Sequence, residues 1–174
     1  MWLRIDIDGI IVQMRINGYK PSTRKDWDSQ WCKVDFSFVA DDWLNYHKER
    51  DEVFLSCEVE ELANSIAKLL RDGLSEMTEI SCIEPDFNFH LYPKRDLRND
   101  PKYTYIREGC EIADIYMEWA ISFWHDGLTG NYLTLTLDES DMTLLMNYLN
   151  LVMGKLSEDS DEILQMIEAG HLYG

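Results

Sequence analysis

The chain has 174 residues, 45% of them hydrophobic and 12% aromatic, which suits one domain with a real core and is short for two. Sixteen Lys and Arg oppose 33 Asp and Glu, a formal net charge of −17, which argues against a surface for nucleic-acid phosphates or for anionic membranes. No apolar run reaches the roughly 20 residues that span a bilayer, and the opening "MWLRIDIDG" carries acids too early for a signal peptide, so a cytoplasmic protein is expected. The net charge also exceeds the roughly 2–8 units that keep a small domain soluble. The excess points to a cationic partner.

The first expected element is a β-hairpin. Asp8-Gly9 suits a two-residue turn whose central positions both need positive φ. A turn there sets Ile7 opposite Ile10, Ile5 opposite Val12 and Leu3 opposite Met14, all on one apolar face. The other face carries Arg4, Asp6, Gln13 and Arg15. "WCKVDFSF" alternates in the same way: Cys32, Val34, Phe36 and Phe38 point inward, and Trp31, Lys33, Asp35 and Ser37 outward. A polar turn is expected near 46–51, followed by a short strand at "EVFLSC".

"EVEELANSIAKLLRDG" reads as a helix. Val59, Leu62, Ala63, Ile66, Leu69 and Leu70 follow its 3–4 spacing, acids crowd its first turn, and Gly73 is the expected stop. In "SCIEPDFNFHLYP", Pro85 fixes φ and lacks an N–H. Glu84-Pro85-Asp86 is therefore read as a turn entering a strand, with Phe87, Phe89 and Leu91 inward. Residues 93–110 hold two prolines and many charges and read as a long exposed loop, with room for a short strand at "YTYI".

"DIYMEWAISFW" puts Ile115, Met117, Trp119, Ile121 and Phe123 on one face. "DGLTGN" is a hairpin loop, and "YLTLTL" then sets Leu133, Leu135 and Leu137 against Tyr132, Thr134 and Thr136. The second main helix has Asp138 or Ser140 as N-cap and a stripe of Met142, Leu145, Met146, Leu149, Val152, Met153 and Leu156. A third, over 159–169, is expected to turn Ile163, Leu164 and Ile167 inward and to end at Gly170. The sum is an α+β fold: an antiparallel sheet of about 7–8 strands, curved or sandwich-like, with two main amphipathic helices packed on it. Residues 1–156 form one domain, and 157–174 an acidic helical extension packed on it.

The chemistry-bearing motifs are few. There is no nucleophile elbow, phosphate loop, dinucleotide fingerprint or H-E-x-x-H helix. Cys32, Cys57, Cys82 and Cys110 form no close pair, so buried thiols are expected in place of a zinc site. His47, His90, His125 and His171 are spread along the chain. Glu84 and Asp86 would act as acid and base only by facing each other across a cleft, and catalytic pairs usually come from separate elements. The turn reading is favoured, with the two acids on a partner-facing rim. No catalytic residue, metal or cofactor is expected.

Acids also cluster late in the chain. Residues 138–174 hold eight against Lys155 alone, most densely in "SEDSDE". Candidate partner contacts are Glu84, Asp86, Trp124, Asp126, Glu158, Asp159, Asp161 and Glu162, with Trp27, Trp31 and Trp43 as further aromatic anchors. The alternatives are an acidic module for another cationic protein, or a small hydrolase using Glu84 or Asp86.

The order of elements carries a resemblance. A hairpin ending in "NGYKP" is followed by "DWDSQWCKVDFSF", "CEVEELANSIAKLL", "IEPDFNFHL", "IYMEWAISFW" and "YLTLTLDESDMTLLMNYL". This order resembles the WapI-type immunity proteins of bacterial contact-dependent toxin systems, over about residues 3–156. The resemblance implies a small cytosolic antitoxin without catalysis. It would bind the toxin domain of a secreted polymorphic polypeptide, a nuclease acting on tRNA in the family's named case.

Overall fold

In a computed structural model, which describes residues 1–21, 30–98 and 100–174, Asp8 and Gly9 both take positive φ, 50° and 87°. The hairpin they close joins β1 (Trp2–Ile7) to β2 (Ile10–Asn17) in the expected register, with Leu3 on Met14, Ile5 on Val12 and Ile7 on Ile10. β3 (Trp31–Ala40) pairs with β2, and β4 (Leu44–Leu55) with β3. Helix α1 (Ser56–Leu70) follows, then β5 (Thr78–Ser81), β6 (Phe87–Tyr92), β7 (Arg95–Asp96), β8 (Ile112–Ala113), β9 (Tyr116–Trp124) and β10 (Leu128–Leu137). Helices α2 (Glu139–Val152) and α3 (Asp161–Glu168) precede β11 (Leu172–Tyr173).

The strands form a five-stranded sheet in the order β11-β1-β2-β3-β4, a four-stranded sheet in the order β10-β9-β6-β5, and the small β7-β8 pair, all antiparallel. The fold is α+β. The two larger sheets meet through an aromatic seam. Phe36 lies 5.0 Å from Phe87 and Phe38 lies 5.6 Å from Trp119, ring centre to ring centre, the latter edge to face. Val59, Leu62, Ile66 and Leu69 of α1 and Met142, Leu145, Tyr148 and Leu149 of α2 join the same buried cluster. The helices pack on each other and against strands of both sheets. Their stripes therefore fill the space the inner sheet faces leave, and among the described residues both outer faces stay free of helix.

Several expectations need correction. The segment 46–51 is strand, part of β4, and the turn lies at residues 41–43. Two register shifts explain the lost alternation: Val34 pairs with Asp51 but Phe36 with Lys48, and Arg50 takes a φ of 53° at the bulge. Asp72, not Gly73, holds the left-handed position after α1, at φ 59°. Its N–H donates to Leu69 O and the Gly73 N–H to Lys68 O, a Schellman close. Glycine at 73 avoids a tight contact, because a Cβ there would sit 3.1 Å from the Lys68 carbonyl oxygen.

Strands β5 and β11 were not foreseen, and residues 103–106 form no strand. The β7–β8 clip closes their segment instead, with Arg95 facing Ala113. In α3, Met166 joins Ile163 inside while Leu164 and Ile167 are exposed. The return to β1 sets that phase: the His171 N–H donates to Met166 O, and Leu172 enters the core beside Leu3. Asp138 caps α2 as expected, accepting the Asp141 N–H at 2.9 Å. The Tyr148 hydroxyl accepts the Ile16 N–H at 2.8 Å, pinning α2 to β2. Among the described residues no cysteine forms a disulfide. Cys32 is buried, Cys57 and Cys82 are half-buried, and Cys110 is exposed, against the expectation of four buried thiols.

Candidate partner-binding surface

Pro85 and Asp86 lie in the turn between β5 and β6, as the proline suggested. Asp86 is no rim residue, however, being only 3% exposed. Its Oδ1 accepts from Lys48 Nζ at 2.7 Å, and the same ammonium lies 2.6 Å from Asp51. Lys48 pairs with Phe36 and so starts on the inner face of β4. At the sheet edge it reaches out over the Trp124 ring, 4.7 Å from the centroid. The Trp124 N–H donates to the Tyr46 hydroxyl, and the Tyr46 ring stands edge-on to Phe123 at 4.9 Å.

Burial pushes the Asp86 carboxyl up, and the Lys48 ammonium works against that rise. Burial alone would lower the Lys48 ammonium, but Asp51 and Asp86 outweigh it and hold it above its ordinary value. This cluster joins the two sheets at one corner. It offers no ready acid–base pair, because the Asp86 charge is committed to Lys48. His90 lies by Glu79 at 3.9 Å. A 290 Å³ cavity is lined in part by Met77, Tyr92, Arg95, Ala113 and Tyr116, and neither Glu84 nor Asp86 borders it.

The other candidate residues fall in two places. Glu84 is half-buried on the same turn as Asp86, Trp124 is half-buried at the end of β9, and Asp126 is exposed at the β9–β10 tip with φ 54°. The structure brings Asp86 and Trp124 together through Lys48. Glu158 and Asp159 lie in the turn before α3, and Asp161 and Glu162 in its first turn, all exposed. Trp31 is half-buried at the start of β3, Trp43 is 63% exposed in the β3–β4 turn, and Trp27 lies outside the described residues. Among the described residues, no group of three or more His, Cys, Asp or Glu is arranged to hold a metal ion. Among the same residues, no helix is long and apolar enough to cross a membrane.

Sequence reasoning missed the outer face of the four-stranded sheet. It carries His90 and Tyr92 of β6, Tyr116, Glu118, Ala120 and Ser122 of β9, and Tyr132, Thr134 and Thr136 of β10, none of them buried. Tyr92 stacks on Tyr116 at 4.4 Å and donates its hydroxyl to Glu118 at 3.1 Å. The alternation of Tyr and Thr in β10 signalled exposure. It did not signal that no other described element would cover the strand.

In a comparison with known families, the model of the immunity protein WapI-like family matches residues 3–156. No curated protein and no solved structure matches the chain.

Proposed function

The chain belongs to the WapI-like immunity protein family, and from that premise we propose that it neutralises a basic toxin domain in the cytoplasm by stoichiometric binding, without catalysis. The toxin on this reading is a nuclease carried by a secreted polymorphic polypeptide. The net charge of −17 is the observation that carries the proposal beyond the family. A nuclease must be cationic where its substrate's phosphates dock, and an inhibitor's carboxylates can occupy the same field. Occlusion of this kind needs no nucleophile, base or cofactor.

The test is inhibition by titration. Purified protein is added to the toxin domain it protects cells against, and residual nuclease activity is followed. Activity should reach zero at one equivalent, and the association rate should fall as salt shortens the screening length from about 10 Å at 0.1 M. Silencing far below one equivalent would mean turnover and defeat the occlusion reading. Failure to protect against any toxin domain would defeat the immunity reading itself. Co-purification of a different cationic protein would point to an acidic module with another client.

A further inference from the structure

We infer that the β9–β10 half of the outer face of the four-stranded sheet is the surface that meets the cationic toxin domain, an inference that rests on the immunity reading above. Shape comes first. Across the two strands, Tyr132 faces Ser122, Thr134 faces Ala120 and Thr136 faces Glu118. Tyr132 stands 70% exposed, and Thr134 and Thr136 are exposed beside it. β10 is the outermost strand, so this face runs to an open edge. The helices bury their stripes in the core on the opposite side of the sheet.

Side-chain type agrees. Tyrosine, tryptophan and small hydroxyls give contact area at little entropy cost and adapt their hydrogen bonds to a partner. Small residues at Ala120 and Ser122 let an opposing surface approach the sheet closely.

Charge decides the partner. From residue 108 to residue 154 the chain has no Lys or Arg and eight acids. On this half of the face Glu118 is the charged side chain, and Asp126 stands at its tip. At the Trp124 end the Lys48 ammonium of β4 is answered by Asp51 and Asp86, and the other cations near the face belong to the β7–β8 clip at its opposite end. There Lys94 lies 3.7 Å from Asp114, and Arg95 lies 3.3 Å from Asp100. An approaching basic surface meets no unanswered repulsion on the β9–β10 half and finds carboxylates without lysine or arginine on the strands around them.

Two double variants separate the faces. Thr134→Lys with Thr136→Lys puts two ammonium groups on the proposed surface. Asn45→Lys with His47→Lys puts the same charge on the outer face of the five-stranded sheet, where both residues are exposed. Each is titrated calorimetrically against the purified, catalytically inactivated toxin domain that the wild-type chain binds, and each is melted thermally. The β10 variant should lose more than about tenfold in affinity with an unchanged melting temperature, and the β4 variant less than about twofold. Equal losses, or wild-type affinity in the β10 variant, would overturn the assignment of the face while leaving the immunity reading standing. If the wild-type chain bound no toxin domain, both would fall. Should the lysines disturb folding, Tyr132→Ala removes contact area without adding charge. It should weaken binding about tenfold, and unchanged affinity would count against the face.

Discussion

On the outer face of the five-stranded sheet, Arg15 reaches Asp35 at 2.8 Å, Lys33 meets Glu52, and Gln13 bonds the Tyr173 hydroxyl at 2.6 Å. On the outer face of the four-stranded sheet, strands β5, β6, β9 and β10 contain no Lys or Arg at all. On the first face Arg15 and Lys33 have their charges answered by Asp35 and Glu52. A partner landing there would have to desolvate or break pairs already made. The second face exposes tyrosine and threonine, which are cheap to desolvate, together with acids that no strand cation neutralises. Availability for binding is thus written in what a surface leaves undone internally.

Asp35 is the centre of the self-satisfied face. It is only 4% exposed although it lies on the outward phase of β3. Burial alone would push its carboxyl up. The Arg50 N–H, the Arg15 guanidinium and the Asn17 amide outweigh burial and hold it below the usual carboxylate range. The largest expected effect follows from removing it. Asp35→Ala strands the Arg50 N–H and Arg15, and should cost about 2–3 kcal/mol of stability in urea unfolding, discounted because Arg15 is partly exposed. Toxin affinity should not change. A cost below about 0.5 kcal/mol would erase the distinction between the faces.

The pH dependence sharpens the same contrast. Asp35 has a folded pKa below its unfolded value of about 3.9. Its contribution is therefore complete above that unfolded value and fades as pH falls through the folded one. Asp86 runs the other way. Its folded pKa is raised, so its ionisation costs stability as pH rises from the unfolded value through the folded one. Thermal melts in acid should show a shallower acid loss for Asp35→Asn than for wild type and a steeper one for Asp86→Asn. At neutral pH Asp86→Asn should be the milder change.

A smaller effect separates two aromatics. Trp2 stacks on Tyr173 with Arg15 over its ring at 4.7 Å. Trp2→Ala should cost about 1 kcal/mol of stability, read by chemical unfolding, and leave affinity alone. The smallest effect concerns two hairpin tips. Asp8 and Asp126 both hold left-handed positions, φ 50° and 54°, which asparagine tolerates. Asp8→Asn and Asp126→Asn should each stay within about 0.5 kcal/mol of wild type. Stopped-flow mixing at two ionic strengths should find slower, less salt-sensitive association for Asp126→Asn only.

The strands that obey strict alternation were legible without coordinates: the β1–β2 register, the inward sets of β3, β6 and β9, and the stripe of α1. Alternation is a local property, fixed by the pleat and by one buried face. What escaped depends on distant parts of the chain. β4 hid behind two bulges that reset its phase. β11 spans two residues and exists because β1 needed a neighbour on that side. Leu164 and Ile167 looked as suitable for burial as Met166, and the path into β11 chose among them. At the candidate site, the turn at Pro85 was legible from a fixed φ. The burial of Asp86 was not, because Lys48 lies 38 positions earlier in the chain. Nor was the 70% exposure of Tyr132, which depends on how distant elements pack.

Lys48 has one more consequence. β4 is a twelve-residue strand at the end of its sheet, with one row of backbone donors and acceptors turned outward. Such an edge invites other chains to extend the sheet into fibres, or copies of one chain to exchange strands. Here two bulges break its flatness, and an inward-phase ammonium sits in its middle, anchored to a carboxylate of the other sheet. A copy zipping onto β4 would have to bury that ammonium or tear it from Asp86 and Asp51. The same lysine that locks the corner of the molecule thereby guards it against self-polymerisation.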